Sequence, residues 1–146
     1  MAPDADEPIR WRLHLASPPE KVYELLSTDA GPARFWAEDA RGEGGFVELR
    51  FPNGMTHRGR VLSKVRPRRV AVEYFGARLP EFVLADDGRG GTDLTLTETG
   101  VPAKWREGNR AGWVSVLMAL KAAVDFDVDV RSHDPQRTWD QGFVDN

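Results

Sequence analysis

Three side chains that could transfer protons lie at predicted inward-facing positions of β-strands. His57, Tyr74 and Glu98 each fall in register with apolar residues that alternate along a predicted strand, and alternate side chains of a strand share one face. An unpaired carboxyl group in an apolar interior has a raised pKa, which suits a general acid or base. These three residues are therefore the candidates for catalysis.

Each candidate also has a structural interpretation. For His57 we favour a hydrogen-bonded wall residue, because nothing in the sequence supplies a carboxylate to orient its ring. Tyr74 either hydrogen-bonds a ligand carbonyl or places its ring in the core, and Glu98 could meet water at the end of its strand. The sequence contains no nucleophile elbow, phosphate-binding loop, dinucleotide fingerprint or zinc-ligand spacing. A binding protein is therefore favoured over an enzyme.

Alternation along the long predicted strand Met55–Val65 distinguishes its two faces. Val61 and Val65 are apolar and should point inward. The same face then carries His57, Gly59 and Ser63, and the opposite face carries Arg58, Arg60 and Lys64.

Tryptophan side chains at three positions could stack on a flat ligand. Trp36 and Trp105 lie near the ends of predicted elements and suit the mouth of a cavity, whereas core packing is favoured for Trp113. With the other inward-facing residues, the predicted ligand-contacting set is Trp36, His57, Ser63, Tyr74, Phe82, Glu98, Trp105, Trp113 and Leu117.

The elements that position these residues begin with a strand and a helix. Apolar and polar residues alternate over residues 9–16, which predicts a strand with one buried face. The SPPE sequence at 17–20 resembles a capping box with prolines in the first turn, and it predicts a helix over 18–27. A short second helix is predicted to carry Phe35 and Trp36.

The rest of the chain is predicted to form five strands and a long helix. Turn-forming residues separate the strands, which are Phe46–Phe51, Met55–Val65, Val70–Phe75, Leu79–Ala85 and Thr92–Thr99. Helical spacing of apolar residues then predicts a helix over 109–126. Its stripe consists of Asn109, Gly112, Trp113, Val116, Leu117, Leu120 and Val124.

This order of elements predicts an α+β fold. A curved antiparallel six-stranded sheet should wrap around the C-terminal helix, with two short helices between the first two strands. The apolar face of the helix either fills the concavity of the sheet or leaves a hollow. Such a hollow would suit a small apolar molecule.

Composition places limits on function. The 146 residues fit one domain with a real hydrophobic core, and the chain has no cysteine and only three scattered histidines. We therefore expect no disulfide, no metal site and no cofactor. A formal net charge of -3 argues against nucleic-acid binding. The N-terminus lacks a signal-peptide pattern and no apolar run could span a bilayer, so a cytoplasmic protein without membrane insertion is expected.

Charge is unevenly distributed along the chain. Residues 41–78 contain nine Arg or Lys and three Glu, and residues 125–146 contain six Asp and two Arg. We interpret the basic side chains as a solvated outer face rather than an anion-binding patch.

The acidic tail over 127–146 also contains apolar residues, so it is either docked or partly disordered. If it docks, Trp139 could pack on the long helix or close the cavity mouth.

Three segments carry a resemblance to a known family. They are SPPEKVYELLSTDAGPARFW after the first strand, GRVLSKVRPRRVAVEYF in the middle, and AGWVSVLMALKAAV near the end. Their order and spacing over about residues 8–126 resemble the START-like, Bet v 1-like helix-grip superfamily, and within it the Hsp90-ATPase-activator-homologue family. The resemblance implies a helix-grip domain with a deep cavity between the long helix and the sheet.

The resemblance leaves three functions open. Relatives bind lipids, sterols or polyketides, which implies a carrier or self-protection protein that sequesters an apolar or aromatic metabolite. Others cyclise polyketides, so a cyclase, dehydratase or hydrolase that uses His57, Tyr74 or Glu98 is the alternative. A co-chaperone of Hsp90 is the third and least supported function, with residues 58–69 as its only candidate surface. A monomer or weak dimer is expected.

Overall fold

The computed structural model describes residues 7–76 and 78–146. Two α-helices and seven strands form the domain, with short 3-10 turns at Gly31–Arg34, Ala103–Trp105 and Trp139–Gln141. In chain order the elements are β1 (Ile9–Leu15), α1 (Pro19–Ser27), β2 (Asp39–Glu43), β3 (Phe46–Arg50), β4 (Thr56–Val65), β5 (Arg69–Val72), β6 (Leu79–Asp86), β7 (Thr92–Thr99) and α2 (Arg106–Phe126).

The strands form one antiparallel sheet in the order β1-β7-β6-β5-β4-β3-β2. The first strand pairs with the last, so Ile9 lies opposite Glu98 and Leu15 opposite Thr92. The predicted α+β class and the long C-terminal helix against a curved antiparallel sheet are confirmed, and the arrangement is consistent with a helix-grip fold.

The sheet contains seven strands rather than the six that were predicted. The additional strand is β2, whose sequence DARGE shows no apolar alternation. It forms by pairing with β3 through a hairpin, and Ala40 lies opposite Leu49. Gly44 and Gly45 make the turn with positive φ angles, which glycine adopts without steric cost. Pairing with a neighbouring strand thus decided the structure of a segment with weak strand propensity.

The connection between β1 and β2 differs from its prediction in two details. Ser17 does not cap α1, because its hydroxyl instead donates to the Asp125 carboxylate at 2.7 Å. The predicted second helix is replaced by the 3-10 turn, which ends before Phe35 and Trp36. The amides of Phe35, Trp36 and Ala37 all donate to the Pro32 carbonyl, so the turn ends on one shared acceptor and does not continue as a helix.

A bulge in β4 reverses the predicted alternation at its end. Val61 pairs with Val72, but Ser63 pairs with Ala71, so one extra residue enters the strand between them. Lys64, which was predicted to face outward, therefore lies opposite Val70 and donates to the Ser27 carbonyl at the end of α1. The predicted inward direction was wrong for Val65, which is half exposed.

The core lies between α2, α1 and the concave face of the sheet. Four residues of the predicted α2 stripe are buried, namely Trp113, Leu117, Leu120 and Val124. From the sheet, Ile9, Leu15, Phe82, Leu84, Leu94 and Leu96 join them. Burial of such side chains contributes about 1.5–3 kcal/mol each. Among the described residues, no helix is long and apolar enough to cross a bilayer.

The C-terminal tail, residues 127–146, lies against the domain. The Trp139 indole lies beside Gly112 of α2, and Asn53 in the β3–β4 turn donates to Asp140 at 3.3 Å. The tail closes on itself, because the side-chain amide of Asn146 donates to the Asp134 carbonyl at 2.8 Å. The tail therefore links the long helix with the far end of the sheet.

Candidate ligand-binding site

A cleft of about 460 Å³ opens between the end of α1, the β2–β3 hairpin and strands β4–β6. Its interior is mostly apolar, and Lys64 is the one basic residue among the described residues that line it. The apolar lining residues are Leu26, Pro32, Phe35, Trp36, Phe46, Val47, Leu49, Val61, Leu62, Val70, Val72 and Phe82, and the polar ones include Ser27, Thr28, Asp29, Glu43 and Ser63. Its volume lies in the range of small-molecule sites.

Three of the predicted ligand-contacting residues line this cleft, namely Trp36, Ser63 and Phe82. The cleft is bounded by α1 and the β2–β3 hairpin, whereas the sequence placed a cavity beneath the long C-terminal helix. Beneath α2 the structure instead packs aromatic rings against one another. Trp36 and Phe82 belong to both regions.

The rings beneath α2 form a continuous aromatic cluster. The centroid of the Trp36 ring lies 4.9 Å from that of Tyr74 and 5.3 Å from that of Trp113. Phe82 meets Trp113 edge to face at 6.0 Å. Aromatic pairs at these distances are attractive beyond the area they bury. The cluster therefore makes Trp36 both a wall of the cleft and a core residue.

A buried ion pair lies at the edge of this cluster. The side chain of Glu98 is fully buried and lies 3.1 Å from the guanidinium of Arg78. The indole N–H of Trp113 donates to Glu98 at 3.0 Å, and the guanidinium also lies over the ring of Tyr74. Burial raises the pKa of the Glu98 carboxyl, although the hydrogen bond from Trp113 and the charge of Arg78 oppose this increase.

The other two acid–base candidates are held in place by the fold. Burial raises the pKa of Tyr74 to about 12, so the phenol stays neutral at physiological pH. The amide of Phe75 donates to Nδ1 of His57 at 3.3 Å, and His57 Nε2 lies 2.9 Å from the Glu73 carbonyl. Nε2 therefore carries the proton. The ring uses both nitrogens to join β4 to the chain after β5.

Six of the nine predicted ligand-contacting residues do not line the cleft, and Trp105 and Leu117 are two of them. Trp105 is half exposed before the start of α2, where the ammonium of Lys104 lies 5.0 Å from its ring centroid. Leu117 is buried in the core on α2. The structure thus brings together Trp36, Tyr74, Phe82, Glu98 and Trp113, and it leaves Trp105 apart from them.

Sequence reasoning missed several residues of the cleft. Phe35 was placed on a helix without a site role, and Lys64 was assigned to the outer face because the bulge has no sequence signature. The hairpin that forms one wall did leave a signal, since Gly44 and Gly45 separate two short segments of strand length. Among the residues that the structure describes, no cluster of three or more His, Asp or Glu could hold a metal ion.

A family model described as "Activator of Hsp90 ATPase homolog 1-like protein" matches residues 16–125, which is more than half of the chain. The chain belongs to this family. The family resemblance inferred from the three sequence segments is thereby confirmed. No curated protein matches the sequence significantly.

Solved structures share the fold at low sequence identity. The protein SSP2350 from Staphylococcus saprophyticus is 23% identical, with a TM-score of 0.74, and the match covers 86% of this chain and 96% of that one. The Aha1 dimer from Colwellia psychrerythraea is also 23% identical, with a TM-score of 0.72 and coverage of 82% and 97%. DynU16, a protein of the dynemicin biosynthetic locus, is 17% identical, with a TM-score of 0.74 and coverage of 87% and 49%.

Proposed function

We propose that the protein binds an apolar or aromatic small molecule, lipid- or polyketide-like, in the cleft beside Trp36. The observation that carries this proposal is the largely apolar lining of a cleft of about 460 Å³ with Lys64 at its edge. Such a site removes apolar surface of a ligand from water, which is the main favourable contribution to binding. We propose a carrier or sequestration role in secondary metabolism, and the family fold is compatible with small-molecule binding.

The hydrogen-bond partners of the polar groups favour binding without turnover over catalysis. The carboxylate of Glu98 is engaged by Trp113 and Arg78, and both ring nitrogens of His57 have backbone partners. A cyclase, dehydratase or hydrolase of the polyketide type is the alternative, and the relative from the dynemicin locus supports considering it. Such an enzyme could act mainly by holding a flexible substrate in a reactive shape.

The cleft can be tested by filling it. Val61 lines the cleft, and Val61→Phe adds a ring to that wall. We expect Val61→Phe to weaken the binding of anilinonaphthalene sulfonate by about tenfold or more, because a steric clash costs about 1–3 kcal/mol. The matched control is Val114→Phe, at an exposed position of α2 outside the cleft, which should bind the probe as the wild type does.

Native mass spectrometry with an extract of the source organism would identify the ligand. A bound apolar mass that persists unchanged supports the carrier role, and a mass that is converted over time supports the enzyme. Binding of the probe to Val61→Phe with wild-type affinity would place the ligand outside the cleft. If the wild-type protein retains neither the probe nor any extract component, the binding function is wrong.

The oligomeric state is a further part of the proposal. The relative from Colwellia psychrerythraea is described as a dimer. We infer a monomer or weak dimer for this chain, which light scattering over a concentration series would distinguish.

A further inference from the structure

The C-terminal tail grips the short segment that carries Phe35 and Trp36. The guanidinium of Arg131 donates through Nη1 to the Ala37 carbonyl and through Nη2 to the Ala33 carbonyl, both at 2.7 Å. Its side chain is only 9% exposed, so these bonds are shielded from water. A planar guanidinium with donors in a fixed geometry suits two carbonyls at once. Arg131 therefore holds the chain at residues 33 and 37. We call residues 33–38 the gripped segment and the contacts of Arg131 with it the clamp.

A second layer of contacts supports this clamp. The Asp129 carboxylate accepts from Nε and Nη2 of Arg131, both at 3.1 Å. His133 lies between that carboxylate and Glu38, with 2.7 Å to each. Glu38 belongs to the gripped segment, whereas Asp129 and His133 belong to the tail. The two parts of the chain are thus joined by charged hydrogen bonds, which are stronger than neutral ones.

The gripped segment is a wall of the cleft. Phe35 and Trp36 both line it, and the backbone of this segment is held otherwise by few bonds. The amides of Trp36 and Ala37 donate to the Pro32 carbonyl within the same turn, and the amide of Glu38 donates to Arg50 on β3. Because Phe35 and Trp36 line the cleft, movement of this segment would widen the cleft.

The tail also has anchors outside the gripped segment. Asp127 pairs with Arg34 of that segment at 2.8 Å, whereas Trp139 lies beside Gly112 of α2. Asp140 accepts a hydrogen bond from Asn53 in the β3–β4 turn. The tail therefore crosses from the long helix to the opposite end of the sheet, with the gripped segment beneath its first part.

We propose that residues 127–146 form a strap that holds the Phe35–Trp36 wall closed and controls how fast a ligand enters and leaves the cleft, with Arg131 as the positioning residue. This inference rests on the proposed binding function. The strap stabilises the closed state relative to the open state by the same amount with and without ligand. Its release should therefore accelerate association and dissociation together and change the equilibrium affinity little.

Hydrogen exchange of the full-length protein tests the clamp without any ligand. We expect Arg131→Gln to accelerate exchange of the amides at residues 36–38 by about tenfold, because a change of about 1.4 kcal/mol in the opening free energy corresponds to that factor. The matched control is Arg137→Gln, since the ion pair of Arg137 is with Asp134 inside the tail. Its exchange at residues 36–38 should equal that of the wild type.

Stopped-flow binding of anilinonaphthalene sulfonate tests the gating. Arg131→Gln should raise both rate constants by a similar factor, and Arg131→Lys, which keeps the charge but lacks the forked donor, should give an intermediate increase. A role limited to overall stability would lower the melting temperature and leave both rates unchanged. If Arg131→Gln does not fold, Arg131→Lys provides the same comparison.

The possible outcomes test the clamp, the gating and the binding function separately. Unchanged exchange at residues 36–38 overturns the clamp, whatever the probe does. Faster exchange with unchanged probe rates overturns the gating and leaves the binding function intact. Binding of the probe to Arg131→Gln but not to the wild type would mean that the strap changes affinity rather than rates, and it overturns the gating. If the probe binds neither protein, the binding function and the gating are both wrong, and exchange alone decides whether Arg131 holds the segment.

Discussion

The replacement Gly59→Ala should be strongly destabilising, because Gly59 lies where two strands and the His57 ring meet. A Cβ atom built on Gly59 would lie 2.0 Å from the Glu73 carbonyl oxygen and 2.6 Å from His57 Nε2. The carbonyl belongs to the backbone, so it cannot move without displacing the chain beside β4. The ring would also have to leave its hydrogen bond to Glu73.

The expected loss follows from these contacts. Overpacking of a tight interior costs about 1–3 kcal/mol. Loss of the His57–Glu73 hydrogen bond and of the neighbouring Glu73–Arg60 backbone bond adds about 1 kcal/mol each. The sum is about 3–5 kcal/mol. The unfolding entropy of a protein with 146 residues is about 0.3 kcal/mol/K, so the melting temperature should fall by about 10–15 °C.

Urea unfolding followed by circular dichroism measures this loss, and Gly108→Ala is the matched control. Gly108 lies in the first part of α2, and a Cβ atom there meets nothing within 4 Å. Alanine at that position should stabilise the protein by about 0.5–1 kcal/mol, because glycine is the poorer helix former. A Gly59→Ala protein within about 0.5 kcal/mol of the wild type would refute the close approach of β4 to Glu73.

Two further predictions concern the tail and the aromatic cluster. Hydrogen bonds to Glu38 and Asp129 hold the pKa of His133 above its usual value of 6.5. Protonated His133 should therefore contribute fully to stability below about pH 6.5, and this contribution should be lost as pH rises through the raised pKa. In unfolding experiments over a pH series, His133→Gln should abolish this part of the pH dependence. Trp113→Phe removes the indole donor from the buried carboxylate of Glu98 and should lower the free energy of unfolding by about 2–3 kcal/mol in urea titrations; a change below about 0.5 kcal/mol would contradict the burial of that hydrogen bond.

Periodicity in the sequence was sufficient for much of the fold. Alternation identified β1, and helical spacing identified the buried stripe of α2 around Trp113 and Leu117. These patterns succeed because a strand or helix with one buried face repeats every 2 or about 3.6 residues. The family resemblance depended on the order of the same elements and was confirmed by the family match.

Features without a local pattern could not be predicted. The polar strand β2 exists because β3 pairs with it, and the bulge in β4 turns Lys64 toward α1 because of its register with β5. Trp36 and Trp113, far apart in the chain, meet at 5.3 Å only after the sheet has curved around α2. The spacing of residues along the chain does not predict such contacts between distant side chains.

The sequence by itself determined the class of fold, the family and the inward-facing alternation of β1 and β7. Only the tertiary structure decided where the cleft lies, which partners occupy Glu98 and His57, and that the tail grips the Phe35–Trp36 wall through Arg131. The physical reason is that periodicity reports how one element meets a generic apolar interior. Hydrogen bonds and ring packing between distant residues depend on register, bulges and the path of the whole chain.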